Sequence, residues 1–138
     1  MATIHREIPL QRGAEDVWAA LRAVDAVHTR LARGFVTDCR LAGDTRVVTF
    51  ANGFVAKERI ITIDDERRRL VYSVVDGSPT HHNGSFQVLS EGPDNSRLIW
   101  IADLLPDDVA GVIGQMMEAG SAAIKATLDA PQTTARSA

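Results

Sequence analysis

A chain of 138 residues is the length of one ordinary domain and too short for two. Its composition, 45% apolar and 24% charged, is that of a globular fold, while a formal net charge of −3 and an aromatic share of 5% exclude the basic, stacking surface that grips nucleic acid. The single cysteine, Cys39, rules out an internal disulfide and a cysteine-based zinc site, so a reducing, cytoplasmic setting is expected; the run from Thr3 to Ile8 is too charged for a leader, and no stretch of about 18 apolar residues would insert into a membrane.

Thr3 to Leu10 alternates as a strand, with Ile4, Ile8 and Leu10 on one face. Glu15 and Asp16 favour a helix start, and Val17, Trp18, Leu21 and Val24 form its apolar stripe; a second short helix is expected over residues 25–32. From Phe35 the period becomes two, giving strands over residues 35–41, 45–51, 54–64, 69–76, 80–90 and 97–104. Short turns separate them: Ala42-Gly43-Asp44, Asn52-Gly53, Asp64 to Arg68, Asp76-Gly77-Ser78-Pro79 and Gly92-Pro93-Asp94-Asn95. Asn52-Gly53 reads as the central pair of a tight hairpin, both residues at positive φ.

Pro106 is expected at the first position of a long helix that ends near Leu128, with Asp107 and Asp108 in its opening turn. Its many small residues, Gly111, Gly114, Ala119, Gly120, Ala122 and Ala123, point to close approach or reserved volume. Residues 1–130 read as one domain and 131–138 as a disordered tail. The order is α+β: a strand, two short helices, six more strands in an antiparallel meander and one long helix, around which the sheet must curl to hide its apolar face.

Alternation places Glu58 on the face of Phe54, Ala56 and Ile60 if Lys57 and Arg59 face water. A carboxylate there suggests a hollow, partly wet interior, because desolvating it inside a solid core is costly. Three readings stay open: an acceptor lining a cavity, a general acid or base, or a cross-strand ion pair with Arg46 or Arg40. The proposed lining is Phe54, Ala56, Glu58, Ile60, Tyr72, Val74, Phe86, Ile101, Ile113, Met116 and Met117, with His82 at the mouth. His81 and His82 point to opposite faces of a strand, so no metal is expected, and no cofactor. Asp103 suits a helix cap, Arg33 a solvated surface, Cys39 a small buried position, and Trp18 and Trp100 packing.

This order of elements resembles the START-related, or SRPBCC, superfamily with its helix-grip fold, which includes polyketide cyclase/dehydrase and lipid-transfer proteins, pollen-allergen relatives and the plant abscisic acid receptors. The resemblance spans Ile4 to Leu128 and is carried by Glu15-Asp16-Val17-Trp18, Phe35 to Cys39, Lys57 to Gly77, and Leu98-Ile99-Trp100 leading to Pro106. It implies a seven-stranded curved sheet gripping the last helix. The central hairpin is similar to that of the receptors, where the counterpart of Glu58 faces the ligand cavity through water and those of Tyr72 and Val74 line it. The receptor gate and latch are replaced here by Asn52-Gly53 and Pro79-Thr80-His81, so hormone sensing is not implied. The expected function is binding of a small hydrophobic molecule; the alternatives are a polyketide cyclase or dehydratase with Glu58 as general acid or base, and an interaction domain with a filled interior. A homodimer is left open.

Overall fold

The computed structural model describes residues 2–75 and 80–130, so the turn expected at Asp76 to Pro79 and the tail expected at 131–138 lie outside the described residues. In chain order the elements are β1 (Ala2–Leu10), α1 (Ala14–Arg22), a single π-helical turn (Val27–Leu31), β2 (Val36–Ala42), β3 (Thr45–Phe50), β4 (Val55–Asp64), β5 (Arg69–Val74), β6 (His81–Ser90), β7 (Ser96–Leu105), a 3-10 turn (Asp107–Val109) and α2 (Ala110–Asp129). The strands form one sheet in the order β1-β7-β6-β5-β4-β3-β2, every neighbouring pair antiparallel. α2 packs along β1, and the apolar core fills the space between the helices and the inner sheet face. This is the helix-grip arrangement of long last helix and curved sheet.

Hydrogen bonds fix the attachment of α1. Trp18 Nε1 donates to Asp65 Oδ1 at 2.8 Å, and Arg22 grips the same carboxylate through Nε at 2.6 Å and Nη2 at 3.2 Å, tying the helix to the β4–β5 turn. The second helix is shorter and wider than expected: Ala32 N–H reaches back five residues to the Val27 carbonyl at 2.8 Å.

Two local expectations are corrected. The β3–β4 hairpin is a three-residue loop, Ala51 to Gly53, in which only Gly53 has positive φ (89°), because Asn52 spends its side chain accepting from Phe54 N–H at 2.9 Å. Pro106 stands before the 3-10 turn in extended conformation, one residue earlier than a first helical position.

Gly120 accounts for part of the small-residue character of α2. A Cβ there would lie 3.1 Å from Phe35 Cε2 and 3.2 Å from the Trp100 ring, so the glycine lets the helix backbone close on two aromatic edges. No helix among the described residues is long and apolar enough to cross a membrane.

Candidate functional site

Between the inner sheet face and α2 lies a cavity of about 80 Å³, walled by Phe35, Phe50, Phe54, Ala56, Glu58, Tyr72, Val74, His82, Trp100, Ile113, Met116 and Met117. A deeper lobe of about 60 Å³ shares Phe35, Phe50, Glu58, Tyr72 and Trp100 with it and adds Arg46, Phe86 and Gly120. Outside, Phe54, Ile113 and Met116 continue into an open groove with Pro106, Val109 and Val112, flanked by Asn52 and Asp108, so the rim of the cavity is largely apolar.

β4 places Glu58 as alternation requires: Ala56 and Glu58 are buried, Lys57 and Arg59 exposed. Directly opposite on β3 stands Arg46. Its Nε donates to Glu58 Oε1 at 2.9 Å and its Nη1 to the Val24 carbonyl at 3.1 Å, with the guanidinium carbon 5.7 Å from the centre of the Tyr72 ring. Both partners are withdrawn from water, the Arg46 side chain 4% and the Glu58 side chain 11% exposed. The cross-strand pair and the cavity-lining carboxylate are therefore one arrangement: Oε1 is held by Arg46, while Oε2 can accept from a guest.

Aromatic rings make the floor. Tyr72 stacks on Phe86 and Phe86 on Trp100, with centroids 6.0 and 4.8 Å apart, and Trp100 Nε1 donates to the Tyr72 hydroxyl at 3.1 Å. Because that oxygen already accepts, the phenolic hydrogen remains to be given. Burial, reinforced by the negative charge of Glu58, pushes the Tyr72 pKa up, so the phenol keeps its proton. Gly84, opposite Tyr72 on β6, makes room for this ring, since a Cβ there would fall 2.2 Å from Tyr72 Cζ.

His82, half-buried beside the Tyr72 ring, has its pKa lowered to about 4 by burial and, secondarily, by His81. Native His82 thus stays neutral where its unfolded counterpart, near 6.5, takes a proton. Its contribution to stability is complete above the unfolded value and is lost as pH falls from about 6.5 to about 4. His82→Gln should flatten that part of the stability–pH curve, measured by urea unfolding at successive pH values. A slope unchanged in the variant would contradict the buried, neutral assignment.

Two residues expected on the wall are elsewhere. Ile101 faces the outer side of β7, opposite His5 on β1 and Ser85 on β6, because Leu98, Trp100, Ala102 and Leu104 take the inner face. Ile60 is half-buried against the core but lines neither lobe; the β4 register shifts between Ile60 and Thr62, turning the strand away there. Asp103 caps nothing: on the same outer face it accepts from Thr3 Oγ1 at 2.8 Å. The other ten positions line one lobe or the other, Phe86 only the deeper one. Phe35, Phe50 and Trp100 also line the cavity, beyond the lining expected from the sequence, in which Trp100 serves packing. Cys39 is buried, its thiol donating to the Val24 carbonyl at 3.4 Å. Among the described residues no three His, Cys, Asp or Glu side chains gather as a metal site.

A curved antiparallel sheet gripping a long last helix, with a cavity between them, defines a START-related protein. The sequence profile of the polyketide cyclase/dehydrase and lipid transport family matches residues 1–135, and the chain belongs to that family. No curated protein sequence matches it. Among solved structures it is similar to XoxI of Bacillus cereus (17% identity, 93% of this chain and 96% of that one, TM-score 0.82). It is similar also to a START superfamily protein of Mycobacterium smegmatis (13% identity, 92% and 97%, TM-score 0.77). A third similar structure is norcoclaurine synthase of Thalictrum flavum in complex with dopamine and hydroxybenzaldehyde (20% identity, 88% and 84%, TM-score 0.61). At these identities the likeness is one of fold.

Proposed function

We propose that the chain binds a small hydrophobic molecule, about one ring in size and carrying one polar group, between the sheet and α2. The observation that carries this reading is a carboxylate oxygen and a phenolic hydrogen presented in a largely apolar, aromatic wall, whose other polar side chains are His82 and the Arg46 already paired with Glu58. Size argues for a compact guest: lobes of about 80 and 60 Å³ approach the roughly 150 Å³ in which a buried apolar cavity takes up benzene, and fall short of the roughly 300 Å³ at which drug-sized sites begin. Met116 and Met117 are the adaptable part of the wall. The similar fold of norcoclaurine synthase, solved with two single-ring molecules, supports the same scale.

The cyclase or dehydratase reading has less support. It needs a base and an acid converging on one guest. Here one oxygen of Glu58 is committed to Arg46, and Tyr72 holds its proton firmly.

Calorimetric titration with p-cresol, a ring with one hydroxyl, tests the binding reading. Saturable one-site binding is expected in the wild type, with a loss of about tenfold in Glu58→Gln, the size of one good hydrogen bond. In Met117→Trp, whose larger side chain occupies the cavity, binding should vanish. Absence of saturable binding to the folded wild-type protein, or equal binding in Met117→Trp, would sink the proposal.

A further inference from the structure

Arginines in this acidic chain are mostly neutralised. Arg6 pairs with Glu118, Arg22 with Asp65, Arg40 with Asp38, Arg46 with Glu58, Arg59 with Asp44, Arg67 with Asp64, Arg68 with Glu15, and Arg97 with Glu7 and Glu91. Among the described residues Arg12, Arg30, Arg33 and Arg69 make no direct ion pair with a carboxylate, although the charge of Asp129 is felt by Arg12. Three of these four, Arg12, Arg30 and Arg33, line one recess of about 250 Å³ between α1, the π-helical turn and the end of α2. It shares no lining residue with the interior cavity.

We infer that this recess binds a phosphate monoester. Its walls are preformed. Arg12 Nε and Nη2 donate to the Leu128 and Ala130 carbonyls at 2.6 and 2.8 Å, which fixes that guanidinium against the end of α2 and leaves Nη1 unspent. Arg33 N–H donates to Thr127 Oγ1 at 3.0 Å, joining the segment after the π-helical turn to the same helix. Arg30 and Arg33, both exposed, line this frame, and their guanidinium groups can make the forked contacts that suit phosphate oxygens. Asp16 is the one carboxylate of the lining, and Asp129, at the edge, is felt by Arg12, so Arg30 and Arg33 carry the charge left for an anion. The volume exceeds what a bare phosphate fills, and Ala19 and Ala20 leave uncharged floor for the alcohol half of an ester.

The test is a phosphorus NMR titration of glycerol phosphate at fixed ionic strength, because salt screens exposed charges. The wild type should bind saturably. Arg30→Gln/Arg33→Gln should lose about tenfold or more in affinity, as expected for removing charge-assisted bonds. Arg69→Gln, removing the unpaired arginine outside the recess, should bind as the wild type does. Wild-type affinity in the double variant, or an equal loss in Arg69→Gln, would overturn the site. Vesicles of phosphatidylcholine with phosphatidic acid separate the sources. Recruitment that depends on Arg30 and Arg33 assigns a lipid headgroup, whereas binding of glycerol phosphate without recruitment assigns a free ester. Unchanged p-cresol binding in the double variant keeps this result independent of the interior cavity.

Discussion

Arg46→Met should destabilise the protein by about 3–5 kcal/mol, because it leaves the Glu58 carboxylate buried without its partner. The same change strips the Val24 carbonyl of its Arg46 donor. Breaking a buried pair is far worse than never having one, since the attraction mostly offsets desolvation. Arg46→Met/Glu58→Leu should therefore recover most of the loss and lie within about 1–2 kcal/mol of the wild type. Urea unfolding of the wild type, both single variants and the double variant closes the cycle. Were Arg46→Met to cost less than about 1 kcal/mol, the value of a solvent-exposed pair, Glu58 would have to be wetter than its surroundings here indicate.

Gly84→Ala should cost about 1–3 kcal/mol, although alanine is ordinarily the better choice over glycine in a strand. The added Cβ would lie 2.2 Å from Tyr72 Cζ and 2.5 Å from its hydroxyl oxygen, so the ring must leave its place. When it leaves, the hydrogen bond from Trp100 breaks and the stack with Phe86 loosens. The indole emission should shift as its N–H loses its partner, which separates ring displacement from general loosening. In a Tyr72→Ala background the same glycine change should be nearly free, because the atoms it strikes are gone. Additive losses in the double variant would show that Gly84 matters for its backbone and not for the space it leaves.

These effects bear on how much the sequence disclosed. Strand alternation was sufficient on β4 because Lys57 and Arg59 mark the wet face, leaving Ala56 and Glu58 one place to go. The cross-strand partner was among two candidates for the same reason: Arg46 shares a hairpin register with Glu58, whereas Arg40 lies on edge strand β2 and pairs with Asp38. β7 is ambiguous by alternation alone. Leu98, Trp100 and Ala102 alternate with Ile99 and Ile101, both faces are apolar, and nothing in the pattern says which turns inward. The inner phase belongs to Trp100, which lines the cavity, while Ile101 and Asp103 face outward beside β1. Ile60 failed for a different reason, since a register shift beside it is a property of the pairing and not of one strand. Phe35 and Phe50 reach the cavity from the sheet's far end, where they meet edge to face at 5.2 Å. Gly84 carries a signal readable in the sequence: an interior strand glycine marks a site where something large comes close, here the Tyr72 ring.

The central claim is that the space between the sheet and α2 admits a guest, and methyl NMR tests it most directly. With p-cresol added to protein labelled at the methionine methyl groups, the Met116 and Met117 resonances should shift together and saturate along one binding curve, and the Met116 response should disappear in Met117→Trp. Binding that leaves the Met116 and Met117 signals unmoved would contradict the account.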